Sequence, residues 1–119
     1  MTTVIPTNMK YIIFNETLET IKEGLFSKLL QKLLPSANPD FEKKYHNVVK
    51  WYLEIDESGK PTREIGINAK GRTIVLGPYQ GNRGLWPDSP VTLNPKDYDS
   101  LAKTDFETEW NKYIEQQKV

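Results

Sequence analysis

Three groups of residues in this chain have types and spacings that chemistry could use. The stretch Gly77-Pro78-Tyr79-Gln80-Gly81-Asn82-Arg83-Gly84 has the glycine content of a phosphate loop, with Arg83 available to hold an anion. It lacks the Gly-Lys-Ser/Thr ending, and no helix pattern follows it directly, so a turn-rich loop with one exposed arginine is the competing reading. Carboxylates form the second group: Glu54, Asp56 and Glu57 crowd one segment, and Glu107 and Glu109 another. General acid–base work needs two carboxyls at a fixed separation with one pKa raised by burial, whereas acids beside a glycine turn or on a helix surface are usually solvated. The third is the single histidine, His46, in a polar stretch with Asp40 and Glu42 upstream. Metal binding there would draw every other ligand from carboxylates, and the pattern of a metal loop is absent. There are no cysteines, which removes thiolate catalysis, disulfides and cysteine-ligated metal. No Gly-x-Ser-x-Gly element occurs. The expectation is a protein that is not an enzyme and carries no cofactor; the alternative is a small-ligand binder or enzyme using the glycine-rich loop 77–90 with Arg83.

Charge points instead toward a protein partner. Sixteen basic and sixteen acidic side chains cancel, and the pI is about 6.6, so bulk attraction to nucleic acid is not expected. The cancellation hides an acidic C-terminal third: residues 88–119 hold seven acidic and four basic side chains, with Asp97, Asp99, Asp105, Glu107 and Glu109 close in sequence. Such a patch steers a basic partner. The plainer reading is a solvated helix start favoured by its own dipole. Tyr79, Arg83 and Trp86 are of the types that anchor protein interfaces, although Trp86 folding onto the core is the competing explanation. The expected partner-binding set is therefore Tyr79, Arg83, Trp86, Asp97, Asp99, Glu107 and Glu109.

The elements that would position these residues follow from periodicity. With 119 residues, 37% apolar and 27% charged, the chain fits one globular domain. From 16 to 34, Leu18, Ile21, Leu25, Phe26, Leu29, Leu30, Leu33 and Leu34 recur at steps of three and four, predicting an amphipathic helix capped by Asn15 and stopped by Pro35. Tyr11 to Phe14 is an edge strand or the lead-in to that helix. Val49, Trp51, Leu53 and Ile55 alternate with polar residues, predicting a half-buried strand. Two more strands follow over 62–68 and 72–76, each after a glycine turn, and a short fourth is expected at 91–93. Thr104 with Glu107 reads as a capping box opening a C-terminal helix with Phe106, Trp110, Tyr113 and Ile114 on one stripe. The fold class expected is α+β: an antiparallel meander of three to four strands packed against an N-terminal amphipathic helix and a short C-terminal helix. Residues 1–10 lack the regions of a signal peptide, and no apolar run exceeds four residues, so a cytoplasmic protein without a membrane partner is expected.

One resemblance adds to this. Tyr52, Glu54, Asp56 and Gly59, then Arg63 and Ile65, Asn68-Ala69-Lys70-Gly71, and the closing Phe106-Glu107-Thr108-Glu109-Trp110 form a layout similar to small bacterial domains identified as immunity proteins of polymorphic or contact-dependent growth inhibition toxin systems. The likeness covers about residues 48–114. It implies an inhibitor that binds the C-terminal domain of a cognate toxin, a nuclease in many such systems, in the cytoplasm of the producing cell. It supplies no binding residues, and cross-strand pairing explains Glu54, Asp56 and Arg63 equally well.

Overall fold

The computed structural model describes residues 9–15, 44–80, 82–89 and 91–117. The strands are β1 (Lys10–Phe14), β2 (Val48–Ile55), β3 (Pro61–Asn68), β4 (Thr73–Gly77) and β5 (Asp99–Ser100), and the helix is α1 (Lys103–Gln117). They form one antiparallel sheet in the order β4-β3-β2-β1-β5.

The meander β2-β3-β4 is the one the alternation predicts, and its two turns share one device. Asp56 Oδ1 accepts from the amides of Ser58 and Lys60 at 2.9 and 3.0 Å, and Asn68 Oδ1 accepts from those of Lys70 and Arg72 at 3.0 Å each. The fourth residue of each turn, Gly59 or Gly71, has φ of +88° or +80°, a region that glycine enters without steric cost. An acidic or amide side chain and a glycine three residues later thus fix each hairpin locally.

The expected architecture needs correction in three places. The sheet has five strands, because β1 pairs along the open edge of β2, with Ile12 opposite Leu53, and β5 extends the sheet beyond β1. No strand forms at 91–93; Val91 and Leu93 are buried in a covering loop, where Leu93 N–H donates to the Gly59 carbonyl at 2.8 Å. The helix expected over 16–34 lies outside the described residues, and the layers that cover the sheet come from elsewhere. On one face, Leu85, Trp86, Val91 and Leu93 of the 79–94 loop pack on Ile12, Phe14, Trp51, Leu53, Ile55 and Val75. On the other, Phe106 and Tyr113 of α1 pack on Tyr11, Ile65, Ile67 and Leu76. Burying one large apolar side chain stabilises by about 1.5–3 kcal/mol, so each layer is held chiefly by this term.

Two local expectations fail for identifiable reasons. A β-bulge between Val48 and Lys50 shifts the alternation, so Val48 is buried and Val49 is exposed, although Trp51, Leu53 and Ile55 point inward as expected. The capping box at Thr104 does not form. The helix begins at Lys103, the amides of Asp105 and Phe106 donate to the Ala102 carbonyl at 3.0 and 3.1 Å, and Glu107 reaches across to the sheet instead.

Candidate functional site

The residues that carry the motif layout meet at the seam between sheet and helix. Glu54 on β2 lies opposite Arg63 on β3, and both point toward α1. Arg63 Nε and Nη2 donate to Glu54 Oε1 and Oε2 at 2.9 and 2.6 Å, a bidentate pair, while Nη1 and Nη2 reach Glu107 at 3.2 and 2.6 Å. Phe106 and Trp110 flank the guanidinium, which lies 4.9 and 4.8 Å from their ring centres. Tyr11 and Thr62 hydroxyls complete the Glu54 carboxylate at 2.8 and 2.7 Å. Burial alone would raise the Glu54 pKa, but the hydrogen bonds from Arg63, Thr62 and Tyr11 outweigh it and hold the carboxyl below its ordinary value. Hydrogen bonds to Glu54 push Arg63 further up, and burial with the Glu54 bond raises Tyr11 to about 12. Each polar group of this cluster has its partner inside the protein. Its chemistry is that of a clasp joining α1 to the sheet.

The glycine-rich loop is organised by a residue the pattern did not single out. Glu64, fully buried on the opposite face of β3, accepts the Leu85 and Trp86 amides at 3.0 and 2.7 Å and the Tyr45 hydroxyl. Asn82 donates to Tyr45 Oη at 2.9 Å and to the Leu76 carbonyl at 2.7 Å, and its Oδ1 accepts the Gly84 amide at 3.2 Å. Gly77 and Gly84 pass so closely that a Cβ on Gly77 would lie 2.4 Å from the Gly84 Cα. Burial raises the Glu64 pKa to about 7 against the pull of the three donors, and burial first, then Glu64, pushes Tyr45 up. The amides of Gly84, Leu85 and Trp86 are thus already committed to side chains of the protein and do not form an anion cradle. The glycines serve close backbone approach. Alternation with Ile65 and Ile67 inward placed Glu64 on the face read as polar, so nothing local in the sequence marked it for burial.

The expected partner-binding residues do not share one surface. Trp86 is 0% exposed and lies in the core 4.9 Å from the Phe14 ring, which corrects its assignment as a surface anchor. Tyr79 is half-buried against Tyr113 at 6.2 Å, and Arg83 is exposed. Glu107 is neutralised by Arg63, and Glu109 accepts from Thr73 of β4 at 3.2 Å. Asp97 and Asp99 lie at the β5 edge, roughly 19 Å across the sheet from β4 at the usual strand spacing. The helix acids and the loop acids are therefore two features, separated because α1 crosses the sheet while residues 95–100 follow its rim.

That rim is the surface with the most distinctive form. Asn94 Oδ1 accepts the Lys96 amide at 3.0 Å and starts a single 3-10 turn, Pro95–Asp97, that lifts Asp97 and Asp99 into solvent on either side of Tyr98. The Tyr98 ring is half-buried and leans on Phe14 at 5.2 Å, so it is held in place by the core. Two open hollows of about 380 and 600 Å³ flank the turn, and Asp97 and Tyr98 line both. Tyr98 was missed in the sequence because one aromatic between two acids is an unremarkable tripeptide until its ring is pinned. His46 is exposed in the turn before β2. Among the described residues, no group of three or more acidic or histidine side chains is placed to hold a metal ion, and no helix is long and apolar enough to cross a membrane. The chain matches no family model, no curated protein and no solved structure.

Proposed function

We propose that this chain is an immunity-type inhibitor that acts in the cytoplasm by binding the C-terminal domain of a cognate bacterial toxin, a nuclease, and blocking access to its basic substrate cleft. The observation that carries the reading is the Asp97–Tyr98–Asp99 rim. It offers two exposed carboxylates about an immobilised aromatic ring, between two shallow hollows that side chains of a partner would fill. Carboxylates set where phosphates would lie attract a basic cleft and speed its encounter, and a ring already fixed by the core gives up little entropy on binding. Tyr79, Arg83 and Glu109 sit away from this rim and have no assigned part in the contact.

The test is co-expression with the product of the gene immediately upstream, where an immunity protein's toxin is expected, combined with a pull-down of that product's C-terminal domain. Wild type rescues growth and is retained. Asp97→Lys with Asp99→Lys slows association, weakens its salt dependence and loses rescue while the circular dichroism spectrum is unchanged. Retained rescue and unchanged on-rates in the double variant would remove the rim from the mechanism. Failure of the wild type to bind or rescue would end the inhibitor reading. The reading as a small-ligand binder built on loop 77–90 is disfavoured by the commitment of its amides to Glu64 and Asn82.

A further inference from the structure

We infer that the trench along the outer side of β1, between Met9 and the start of α1, docks an acidic peptide segment carrying an apolar side chain. The trench has a volume of about 490 Å³ and is open to solvent; Met9, Ile12 and Leu101 contribute to its apolar floor, and Lys10, Lys96 and Lys103 stand around it. All three lysines are exposed, and none of their ammonium groups has a hydrogen bond or ion pair among the described residues. Other cations are used differently: Lys60 is fixed on the Pro87 and Ser89 carbonyls, and Arg63 on two carboxylates.

Among the described residues no acidic side chain lines the trench, although Asp97 and Asp99 are neighbours of Lys96 in sequence. The 3-10 turn keeps the aspartates out of the trench: Asp97 and Asp99 line the hollow on the other side of the rim, which Lys96 borders as well, while Lys10 and Lys103 face the trench alone. Three positive charges therefore surround a mostly apolar recess, with no counter-charge among the described residues that line it. An apolar side chain entering the recess gains by losing water, and carboxylates on either side of it meet ammonium groups at the rim. Concavity favours an inserted side chain over a flat lipid surface. The inference does not rest on the inhibitor reading, which uses the acidic side of the same turn.

The experiment titrates the full chain with a fluorescein-labelled peptide of alternating glutamate and leucine, read by anisotropy and by amide chemical shifts. Binding should perturb the amides of Met9, Lys10, Ile12, Leu101 and Lys103, weaken with salt, and fall about tenfold in Lys10→Glu with Lys103→Glu, as expected when two rim charges are reversed. Asp97→Lys with Asp99→Lys should not reduce it, which separates this result from the test of the inhibitor reading. Four outcomes overturn the inference. One is no binding at about millimolar peptide, the weakest affinity worth the name. Another is equal binding of a peptide with lysine in place of glutamate. The third is equal binding with serine in place of leucine. The last is binding to phosphatidylserine vesicles in preference to the peptide.

Discussion

Replacing Glu64 with glutamine should change how stability depends on pH, in the sense opposite to an ordinary surface-paired carboxylate. In the unfolded chain the carboxyl titrates near 4.5, and in the folded protein burial raises it to about 7. Between these values the folded state binds more protons than the unfolded state, so stability falls as pH rises. The contribution of the protonated carboxyl is whole below 4.5 and is lost as pH passes through about 7. The interval corresponds to about 3 kcal/mol. Glutamine cannot titrate, and it cannot repeat the bonding: Glu64 Oε2 accepts from both Tyr45 and Leu85, whereas an amide NH₂ at that position would face two donors. E64Q should therefore be less stable than wild type at acid pH by roughly 2–4 kcal/mol, the cost of one or two buried unsatisfied groups. That deficit should shrink by about 3 kcal/mol toward the alkaline side. Urea unfolding of both proteins at a series of pH values, followed through the fluorescence of buried Trp51 and Trp86, measures it directly. A deficit that stays flat across the range, or grows with pH, would refute the argument, because it would mean that the three donors overcome burial and that Glu64 folds as the anion.

Four further outcomes follow from the geometry. Arg63→Ala strands the buried Glu54 carboxylate and should cost about 3–5 kcal/mol, whereas Glu107→Gln, whose side chain is 34% exposed, should cost under about 1 kcal/mol; chemical denaturation separates them. Because the Glu54 pKa is lowered in the folded protein, its stabilising contribution is present above its ordinary value and disappears as pH falls through the lowered one; Arg63→Ala should remove most of that acid sensitivity. Gly59→Ala must place a Cβ 2.7 Å from the Leu93 carbonyl oxygen as well as hold φ at +88°, while Gly71→Ala meets open space at φ of +80°. The second should lose about 1 kcal/mol and the first clearly more, as melting temperatures will show. Trp86→Ala should cost about 3–5 kcal/mol of stability and leave the affinity of the remaining folded protein for the proposed toxin partner unchanged.

The meander was legible because its signals are local. Trp51, Leu53 and Ile55 alternate with polar residues, and Asp56 with Gly59 and Asn68 with Gly71 close turns whose hydrogen bonds span four residues or fewer. The stripe of Phe106, Trp110, Tyr113 and Ile114 was legible for the same reason. The bulge at Val49 was not, since inserting one residue leaves the composition of the run intact and shows only in the register against β3. Glu107 was misread as a cap because the capping box and a salt bridge to a residue 44 positions away look identical along the chain. Trp86 carried both readings until its burial was known.

The amino-acid sequence by itself determined the strands and turns of the β2-β3-β4 meander and the course of the last helix, since these depend on neighbours within a few residues. It also set the inventory of charges. Only the tertiary structure decided that β1 joins the far edge of β2, that Glu64 ties down the glycine loop, and that the acids of the last third divide between a clasp and a rim. Those outcomes depend on contacts between residues far apart in the chain, whose energies come from burial and from pairing across strands. The types of residue needed for them can be read in advance, but which residue meets which is settled only when the faces of the sheet are covered.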